Sequence, residues 1–567
     1  MRRGVLAFLG APEQATKVAL AAERCGLTAV AVEPDLIIWA GEALDARRLP
    51  GGALVLGDIF SRSGATVQEP SDGWGSFIAI ARWGDTVSVE RAALTGMPIY
   101  WTPHSGGILC ASHLDLIADL LPGQAIDWDF IGQALVYSNL RTDRTGLGSI
   151  RELLGGCRLA FDGRRAEVEC LWSPWPHVAA RNDEGVSELA CMLERRIDAC
   201  IRAWSQGRDG IVLELSGGLD SSIVAASLAG TGAGFSAINF VTPGADGDER
   251  HFACAVAARC GTELVEAMND EGRIDLLAPP VHLHPRPAAY GVLGGIDAAF
   301  ADAVAGGDRP IIGGIGGDNV FGFDSSIGPA VDAFAEFGFS RRTIHALRDV
   351  ARAGGATIWE AARLLYRAQR AGPRQAWPRE TSFCDAVAMP TMPFEHPWDA
   401  GAAEASRAKR KHVEAIRRIL DFADRPDRWY GRDVIAPLLS QPVVELCLSI
   451  PSWSWFAGGR DRAIARAAFA KRLPAEVVWR RDKGRLESLC TAAFLRQRAG
   501  LRELLLGGRL AERGLLNRAA IAAYIDAADV VDNFDYFRLL EIADVERWVR
   551  AVETSSFFGP SSDQRRC

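Results

Sequence analysis

The sequence predicts an α/β protein with a β-rich N-terminal domain and a C-terminal domain built around a parallel sheet. Short apolar segments separated by Gly, Pro and Asp fill about the first 180 residues, a pattern typical of strands joined by turns. Beyond them, long helical periodicities alternate with apolar strands that end in Gly or Pro, which favours a parallel sheet with crossover helices. The length of 567 residues also favours at least two domains.

Composition and charge exclude several classes of function. The chain is 48% hydrophobic and 24% charged, which indicates a folded soluble protein. Its formal net charge is -8 and it has no long basic run, so we expect no nucleic-acid partner. No segment has the ~20 apolar residues of a membrane span, and the apolar run in "MRRGVLAFLG" is short for a signal peptide. The twelve scattered cysteines form no CxxC pair, so we expect reduced thiols and a cytoplasmic protein without membrane contact.

The N-terminal domain is predicted to span residues 1–180 and to be mostly strands. One helix is expected at "HLDLIADLL". The predicted strands are the apolar runs GVLAFLG, LTAVAVE, LIIWAG, GALVLGDIF, GSFIAIARW, DTVSVERA, PIYWTP and GGILCAS.

The C-terminal domain is predicted to span residues 181–555, followed by a disordered polar tail at 556–567. Three strands are expected, at "GIVLELSGG", "FSAINFVTPG" and "RPIIGGIGGD", and the chain beyond about residue 330 is expected to be mainly helical. In "DERHFACAVAARCG", Ala253, Val256 and Ala257 have helical spacing and Gly261 is a stop signal, which predicts a crossover helix. Ligands of parallel sheets bind at the carboxyl ends of the strands, where these glycine clusters fall.

The segment "SGGLDSS", residues 216–222, connects a predicted buried strand to a predicted helix. A glycine-rich turn at a helix N-terminus presents free N–H groups and the positive end of the helix dipole, which suits phosphate. Asp220 would repel phosphate unless a cation such as Mg²⁺ lay between them. The alternative interpretation is a tight turn at Gly217 and Gly218 with Asp220 capping the helix. Hydroxyl donors come from Ser216, Ser221 and Ser222.

These seven residues resemble the pyrophosphate-binding loop of the ATP pyrophosphatase superfamily, and their form is similar to that of the asparagine synthetase branch. "IIGGIGGDNVFG" is similar to a second block of that branch, which places Gly314 at a nucleotide-contacting glycine and Asp318 at a second magnesium-binding aspartate. Three later segments are also similar: "GADGDERHFACAVAARCGTELVE", "IAPLLSQPVVELCLSIP" and "LPAEVVWRRDKG". Lys483 matches a phosphate-contacting lysine, although its spacing from Trp479 differs by one residue; the alternative is a solvated surface charge.

The resemblance implies ATP and Mg²⁺ as ligands and a set of site residues. Asp220, Asp318 and Lys483 would be catalytic, and the first two would hold the metal. The implied nucleotide-binding residues are Leu215, Ser216, Gly217, Gly218, Asp220, Ser221, Ser222, Ile238 and Gly314.

The N-terminal segment "DGWGSFIAIARWGDTVSVERAALTGMPIYW" resembles the glutaminase-type (Ntn) domain of asparagine synthetases. A working glutaminase of this type needs a cysteine directly after the initiator Met, because its amino group serves as the base. This sequence has Arg2 there, and Cys25 is too far along the chain. The resemblance therefore implies an inactive domain, kept as architecture or as a substrate platform.

Two branches of the family are known to lack that cysteine: β-lactam synthetases with their carbapenam relatives, and the macrolactam synthetases of lasso peptides. At the position of Ile315, asparagine synthetases carry Glu and β-lactam synthetases a Tyr that helps to deprotonate the amine; isoleucine can do neither. This favours a peptide α-amine as the nucleophile, because its reference pKa is near ~8. "PLLSQPVVE" and the sixteen tryptophans are most similar to lasso cyclases.

The resulting hypothesis is a lasso peptide macrolactam synthetase. ATP would adenylate an Asp or Glu side chain of a leader-free core peptide, and the peptide's N-terminal amine would close an isopeptide ring with release of AMP. The expected partners are the precursor peptide, a leader peptidase and a leader-recognition protein. Three alternatives stay open: a β-lactam or carbapenam type of intramolecular synthetase, an ammonia-dependent amidotransferase, and a non-catalytic nucleotide-binding scaffold.

Overall fold

The structure is a computed structural model that describes residues 2–242, 248–287, 291–303, 309–371, 377–424, 432–481, 487–527 and 535–555. The tail predicted to be disordered, residues 556–567, lies outside the described residues.

The N-terminal part consists of two antiparallel sheets packed face to face, which confirms the β-rich prediction. The strand orders are β10-β8-β9-β1-β3-β2 and β12-β11-β7-β6-β5-β4. Alternate residues of β1 and β5, such as Val5, Ala7, Leu54 and Leu56, are buried in one core between the sheets. The strands are β1 (Val5–Leu9), β2 (Thr28–Glu33), β3 (Leu36–Ala40), β4 (Ala46–Arg48), β5 (Leu54–Ser61), β6 (Gly73–Trp83), β7 (Thr86–Arg91), β8 (Ile99–His104), β9 (Gly107–Ala111), β10 (Arg151–Leu153), β11 (Cys157–Phe161) and β12 (Ala166–Cys170).

The helix predicted at "HLDLIADLL" is wrong. Two separate 3₁₀ turns occupy this segment, Leu114–Leu116 and Ala118–Leu120, and Ile117 between them has φ -125°, outside the helical region. Both Leu116 and Ile117, adjacent in sequence, are buried, together with Leu114. Adjacent side chains point about 100° apart on an α-helix, so one helix face could not bury all three of these side chains. The segment therefore forms 3₁₀ turns, which allow burial on several sides. The helices of the N-terminal part are Thr16–Arg24, Trp128–Val136 and Trp175–Ala179.

The C-terminal part contains a five-stranded sheet in the order β15-β14-β13-β16-β17, in which every neighbouring pair is parallel. The three predicted strands are present as β13 (Ile211–Glu214), β14 (Phe235–Val241) and β16 (Ile311–Gly313). The sheet has two further strands that the sequence pattern does not indicate, β15 (Leu264–Met268) and β17 (Val434–Ile435). β15 is a largely exposed edge strand and β17 has only two residues, so neither produces a buried apolar run.

Helices cover this sheet and continue to the end of the described chain. The predicted crossover helix is confirmed as Arg250–Cys260, which ends at Gly261 with φ 66°. None of the described helices combines the length and the apolar character needed to cross a membrane. The other helices are Val186–Ser205, Leu219–Ala229, Gly294–Ala303, Gly317–Val320, Gly328–Phe337, Arg341–Ala353, Ile358–Arg370, Arg407–Ala423, Gln441–Ser449, Ala463–Phe469, Ala475–Val478, Glu487–Leu506, Arg509–Glu512, Arg518–Asp526 and Tyr536–Thr554.

The last long helices pack against the N-terminal sheets. Leu539 and Trp548 of Tyr536–Thr554 share one buried core with Leu6 and Phe8 of β1. The hydrophobic cores therefore extend across residue 180, where the sequence predicts a domain boundary, and that boundary stays a prediction.

A buried ion cluster also joins the N-terminal part to the helices of the C-terminal part. Arg141 donates from Nε to Glu152 Oε1 at 3.0 Å and from Nη1 to Asp424 Oδ2 at 2.6 Å. Arg91 forms ion pairs with both carboxylates, and all four side chains are at most 7% exposed. Burial alone would raise the pKa of Glu152, but Arg141 and Arg286 lower that pKa to about 2. The cluster therefore stays charged at neutral pH and ties the two parts together.

Candidate active site

The loop after β13 turns sharply into the helix Leu219–Ala229. Gly217 has φ 78°, and a Cβ added there would lie 2.6 Å from the backbone nitrogen of Ala253. Only glycine fits this turn, because other residues are strained at positive φ and lack the space. Gly218 and Ser221 line a cleft at the start of the helix. The positive end of this helix's dipole therefore borders the cleft.

The serine hydroxyls of this loop fasten its backbone. The Ser222 hydroxyl donates to the Gly218 carbonyl at 2.6 Å, and the Ser221 hydroxyl lies 3.1 Å from Ser216 Oγ. Ser216 Oγ also accepts a hydrogen bond of 3.3 Å from the N–H of Gly218. Ser222 is fully buried, whereas Ser216 and Ser221 line the cleft. The hydroxyls of Ser216 and Ser221 are therefore the ones placed beside a ligand in the cleft.

A second glycine-rich loop follows β16 and lies directly against the first. A Cβ added at Gly314 would be 2.4 Å from the backbone nitrogen of Ser221, and one added at Gly317 would be 2.3 Å from Cγ of Asp220. The two loops meet because β13 and β16 are parallel neighbours, so their carboxyl ends lie at the same edge of the sheet. This contact places Asp318 beside Asp220.

Substituting Gly314 tests this contact between the loops. Gly314→Ala is expected to lower the free energy of unfolding by about 1–3 kcal/mol, because the new methyl group meets backbone rather than a movable side chain. Nucleotide binding should weaken as the loop around Ser221 shifts. Thermal unfolding and ATP titration measure both effects. Gly218→Ala is the matched control for stability, since its added Cβ meets only Ser216 Oγ at 3.3 Å. Equal melting temperatures and ATP affinities for Gly314→Ala and the wild type would contradict the prediction.

Arg462 joins the two predicted carboxylates. Its Nη1 lies 3.4 Å from Asp220 Oδ1 and is in close contact with Asp318 Oδ1. Its Nε lies 3.6 Å from Asp461 Oδ2. Burial favours the neutral form of Arg462, but these carboxylates outweigh burial and raise its pKa above the ordinary value. A permanently charged guanidinium thus lies between Asp220 and Asp318.

Sequence reasoning missed Arg462. It lies in "GGRDRAIAR", 242 positions after Asp220 along the chain, between two segments that carry the family resemblance. The local clue is a pair of glycines followed by alternating basic residues before a short helix. Gly458 and Gly459 have φ 61° and 72°, so the chain does turn sharply there. Nothing in that pattern specifies which arginine reaches the carboxylates.

The cleft has a volume of about 760 Å³, within the range of small-molecule sites. Its described lining has as many arginines as carboxylates, so the phosphate groups of a bound ligand would lie near positive charges. The carboxylates are Glu214, Asp220, Asp318, Asp324 and Asp461, and the arginines are Arg460, Arg462, Arg466, Arg480 and Arg481.

A family model for asparagine synthase matches residues 192–550, which is more than half of the chain. The chain belongs to the asparagine synthase family. A search of the curated proteins found no match. The family match supports an ATP-dependent amide-forming ligase, and it spans both glycine-rich loops and Arg462.

Within this asparagine synthase domain, the predicted nucleotide-binding residues fall into two groups. Leu215, Gly217, Ser222 and Ile238 lie behind the residues that line the cleft. The Ile238 carbonyl accepts a hydrogen bond of 2.8 Å from the N–H of Leu215, and its side chain is 2% exposed. Their contact with nucleotide stays a prediction. The predicted nucleotide-binding residues that line the cleft are Ser216, Gly218, Asp220, Ser221 and Gly314, and the predicted metal ligand Asp318 lines it as well.

Lys483, the predicted catalytic lysine, lies outside the described residues. Arg480 and Arg481, just before it in sequence, line the cleft. Arg480 is held by a 2.8 Å ion pair with Glu249, and its guanidinium carbon lies 3.9 Å from the centroid of the Phe252 ring. The role of Lys483 stays a prediction.

The two carboxylates of the asparagine synthase domain fit a magnesium ion. Asp220 and Asp318 both reach one cationic nitrogen of Arg462, so their oxygens converge on a single point of positive charge. Carboxylate oxygens are ligands that Mg²⁺ prefers, and Mg²⁺ is commonly bound by one or two carboxylates with substrate phosphates and water. No group of three or more His, Cys, Asp or Glu suited to a metal occurs among the described residues. Two carboxylates leave other coordination positions of Mg²⁺ to phosphate oxygens and water, so the pair suits a metal that is shared with a nucleotide.

Proposed function

We propose that this ATP-dependent amide-forming ligase is a lasso peptide macrolactam synthetase. It would close an isopeptide ring between an Asp or Glu side chain and the N-terminal amine of a leader-free core peptide. The observation that carries the proposal is Ile315, which lines the cleft next to Gly314. The family resemblance implies Glu at this position in asparagine synthetases and Tyr in β-lactam synthetases. A leader peptidase and a leader-recognition protein would supply the substrate in the cytoplasm.

The reaction would proceed in two steps. A carboxylate oxygen of the peptide attacks the α-phosphorus of ATP, the bond from that phosphorus to the bridging oxygen breaks, and pyrophosphate leaves. The N-terminal amine then attacks the acyl carbon, the carbon–oxygen bond to AMP breaks, and the amine loses its proton. The helix N-terminus at Gly218 and the arginines of the cleft stabilise the departing pyrophosphate. A magnesium ion held by Asp220 and Asp318 would neutralise charge on the phosphates.

The choice of nucleophile follows from the groups that line the cleft. Its described lining contains no histidine, lysine or tyrosine, and Ile315 offers no proton acceptor, so the carboxylates of the cleft are the bases that this lining provides. A peptide α-amine has a reference pKa of ~8, against ~10.4 for a lysine side chain, so a useful fraction is unprotonated near neutral pH. The α-amine therefore needs the least help from a dedicated base.

The apolar wall of the cleft offers contacts for the peptide. Phe323 and Phe456 line it together with Val350 and Ala353 at the end of the helix Arg341–Ala353. Ring closure requires the carboxylate and amine ends of the peptide to be held close together, which lowers the entropic part of the barrier. Apolar packing of the peptide against this wall is the expected means.

The N-terminal sheets would be an inactive glutaminase-like (Ntn-type) domain. A cavity of about 130 Å³ between them and the parallel sheet is lined by Ile315, Arg3 and Asp433, and the two charged residues form an ion pair of 3.3 Å. The ion pair supports a structural contact between the two parts of the chain at this place.

The test is an assay of AMP formation with defined substrates. Incubation with ATP, Mg²⁺ and the matching leader-free peptide should give AMP and a product lighter by one water. A peptide with Asp or Glu changed to the amide should give no AMP, and an N-acetylated peptide should support ATP–pyrophosphate exchange but no ring. AMP from a small amino-diacid would favour a β-lactam type, and turnover of aspartate with ammonium would favour an amidotransferase. ATP binding without AMP in every case would indicate a scaffold and sink the proposal.

A further inference from the structure

The position between Asp220 and Asp318 is already taken by a cation of the chain itself. The Nη1 of Arg462 contacts Oδ1 of both carboxylates, at 3.4 Å for Asp220 and closer for Asp318. Arg462 and Asp220 are 14% and 15% exposed at their side chains, so water screens this pairing only partly. A metal ion that used both carboxylates would have to displace the guanidinium.

The fold aims Arg462 at this point. Its φ is 49°, a left-handed conformation that is strained for a non-glycine residue, and it directly precedes the helix Ala463–Phe469. Arg466 holds the turn by donating from Nε to the Asp461 carbonyl and from Nη2 to Asp461 Oδ1, both at 2.9 Å. The guanidinium carbon of Arg462 lies 5.5 Å from the centroid of the Phe323 ring. The backbone conformation and the contacts of Asp461 therefore fix the direction of the Arg462 side chain.

Removing the arginine would change what the carboxylates bind. Two carboxylates at close range repel each other unless a cation lies between them, so they would take up a divalent ion directly. With Arg462 in place, a divalent ion must compete with the guanidinium for the two carboxylates. A bound nucleotide lowers the cost of displacing the guanidinium, because its phosphates accept charge-assisted hydrogen bonds from arginine.

We propose that Arg462 is a displaceable counter-ion that keeps divalent metal off Asp220 and Asp318 until nucleotide enters the cleft, when its guanidinium moves to the phosphates. The inference rests on the proposed use of both carboxylates for the magnesium of ATP. Arg462 thereby couples metal loading to nucleotide loading. It is a positioning residue for the metal and a contact for the phosphates.

The test is a titration of the nucleotide-free protein with Mn²⁺, in which electron paramagnetic resonance measures the concentration of the free ion. Arg462→Gln should bind one Mn²⁺ with a Kd lower than the wild type by about tenfold or more, a difference that corresponds to ~1.4 kcal/mol. Arg460→Gln is the matched control, because it also removes a positive charge from the cleft. In the wild type, Nη1 of Arg460 donates to the Trp479 carbonyl at 2.9 Å. The Kd of Arg460→Gln should stay within about twofold of the wild type.

Two further variants make the outcome decisive. Adding Asp318→Asn to Arg462→Gln should abolish the gain, and a gain that persists would place the metal elsewhere and overturn the proposal. Equal Mn²⁺ affinity in the wild type and in Arg462→Gln would overturn it as well. If Arg462→Gln does not fold, Arg462→Lys replaces it, with an intermediate Kd expected and an unchanged Kd counting against the proposal. These titrations need neither ATP nor peptide, so failure of the peptide assay and failure of the metal titration are distinguishable.

Discussion

Asp220→Asn and Asp318→Asn are each expected to lower peptide-dependent AMP formation by roughly 10³-fold or more, since loss of preorganised charge stabilisation at a reacting phosphate costs several kcal/mol. The two carboxylates converge on one point, so neither can replace the other in holding a cation. Asp318→Asn should change the melting temperature little, because Asp318 is 32% exposed at its side chain. Asp220→Asn should lower the melting temperature modestly without unfolding the protein, because a carboxylate in the first turn of a helix stabilises that helix. AMP release and thermal unfolding, measured on the same preparations, check both statements.

The matched control for these two substitutions is Asp526→Asn. Asp526 is an exposed carboxylate that pairs with Arg502 at 3.0 Å and does not line the cleft. It should keep the wild-type rate. If Asp220→Asn or Asp318→Asn also kept the wild-type rate, that residue would have no part in metal binding.

Glu152→Gln is expected to reduce the free energy of unfolding by roughly 3–5 kcal/mol, since removing one partner of a buried ion pair leaves an uncompensated charge. Glutamine keeps one oxygen that can accept from Arg141 but carries no charge, so Arg141 and Arg91 would each lose an ion pair, and both arginines are at most 7% exposed. The midpoint of urea denaturation measures the change. Glu167→Gln is the control, because Glu167 is 63% exposed and its pair with Arg165 is solvated. A wild-type midpoint for Glu152→Gln would show that the cluster contributes nothing to stability.

The same substitution should change how stability depends on pH. The pKa of Glu152 is about 2 in the folded protein, against ~4.3 in an unfolded chain. A carboxyl group whose folded pKa is depressed contributes stability that is complete above the unfolded value and is lost as the pH falls towards the folded value. The wild type should therefore lose stability more steeply than Glu152→Gln between about pH 4.5 and 2. Parallel pH profiles would contradict this assignment.

The elements that sequence could predict are those whose cause is local. The strands Val5–Leu9 and Ile211–Glu214 are short apolar runs between turn residues, and the helix Arg250–Cys260 has its apolar spacing and glycine stop in one segment. The helix prediction for "HLDLIADLL" is wrong because burial on several sides, which depends on distant neighbours, decides the conformation of this segment. β17 has only two residues, and it forms a strand because its backbone pairs with the edge of β16.

The same division holds for the candidate site. The sequence alone predicts a phosphate-type loop at residues 216–222 and indicates Asp220 and Asp318, since a glycine-rich turn at a helix N-terminus and the family resemblance are both legible in short segments. The folded chain was needed to place Arg462 between those carboxylates and Arg141 between Glu152 and Asp424. The difference is one of range: turns and helix ends follow from the spacing of neighbouring residues, whereas ion pairs between distant segments depend on how the sheet and its helices pack.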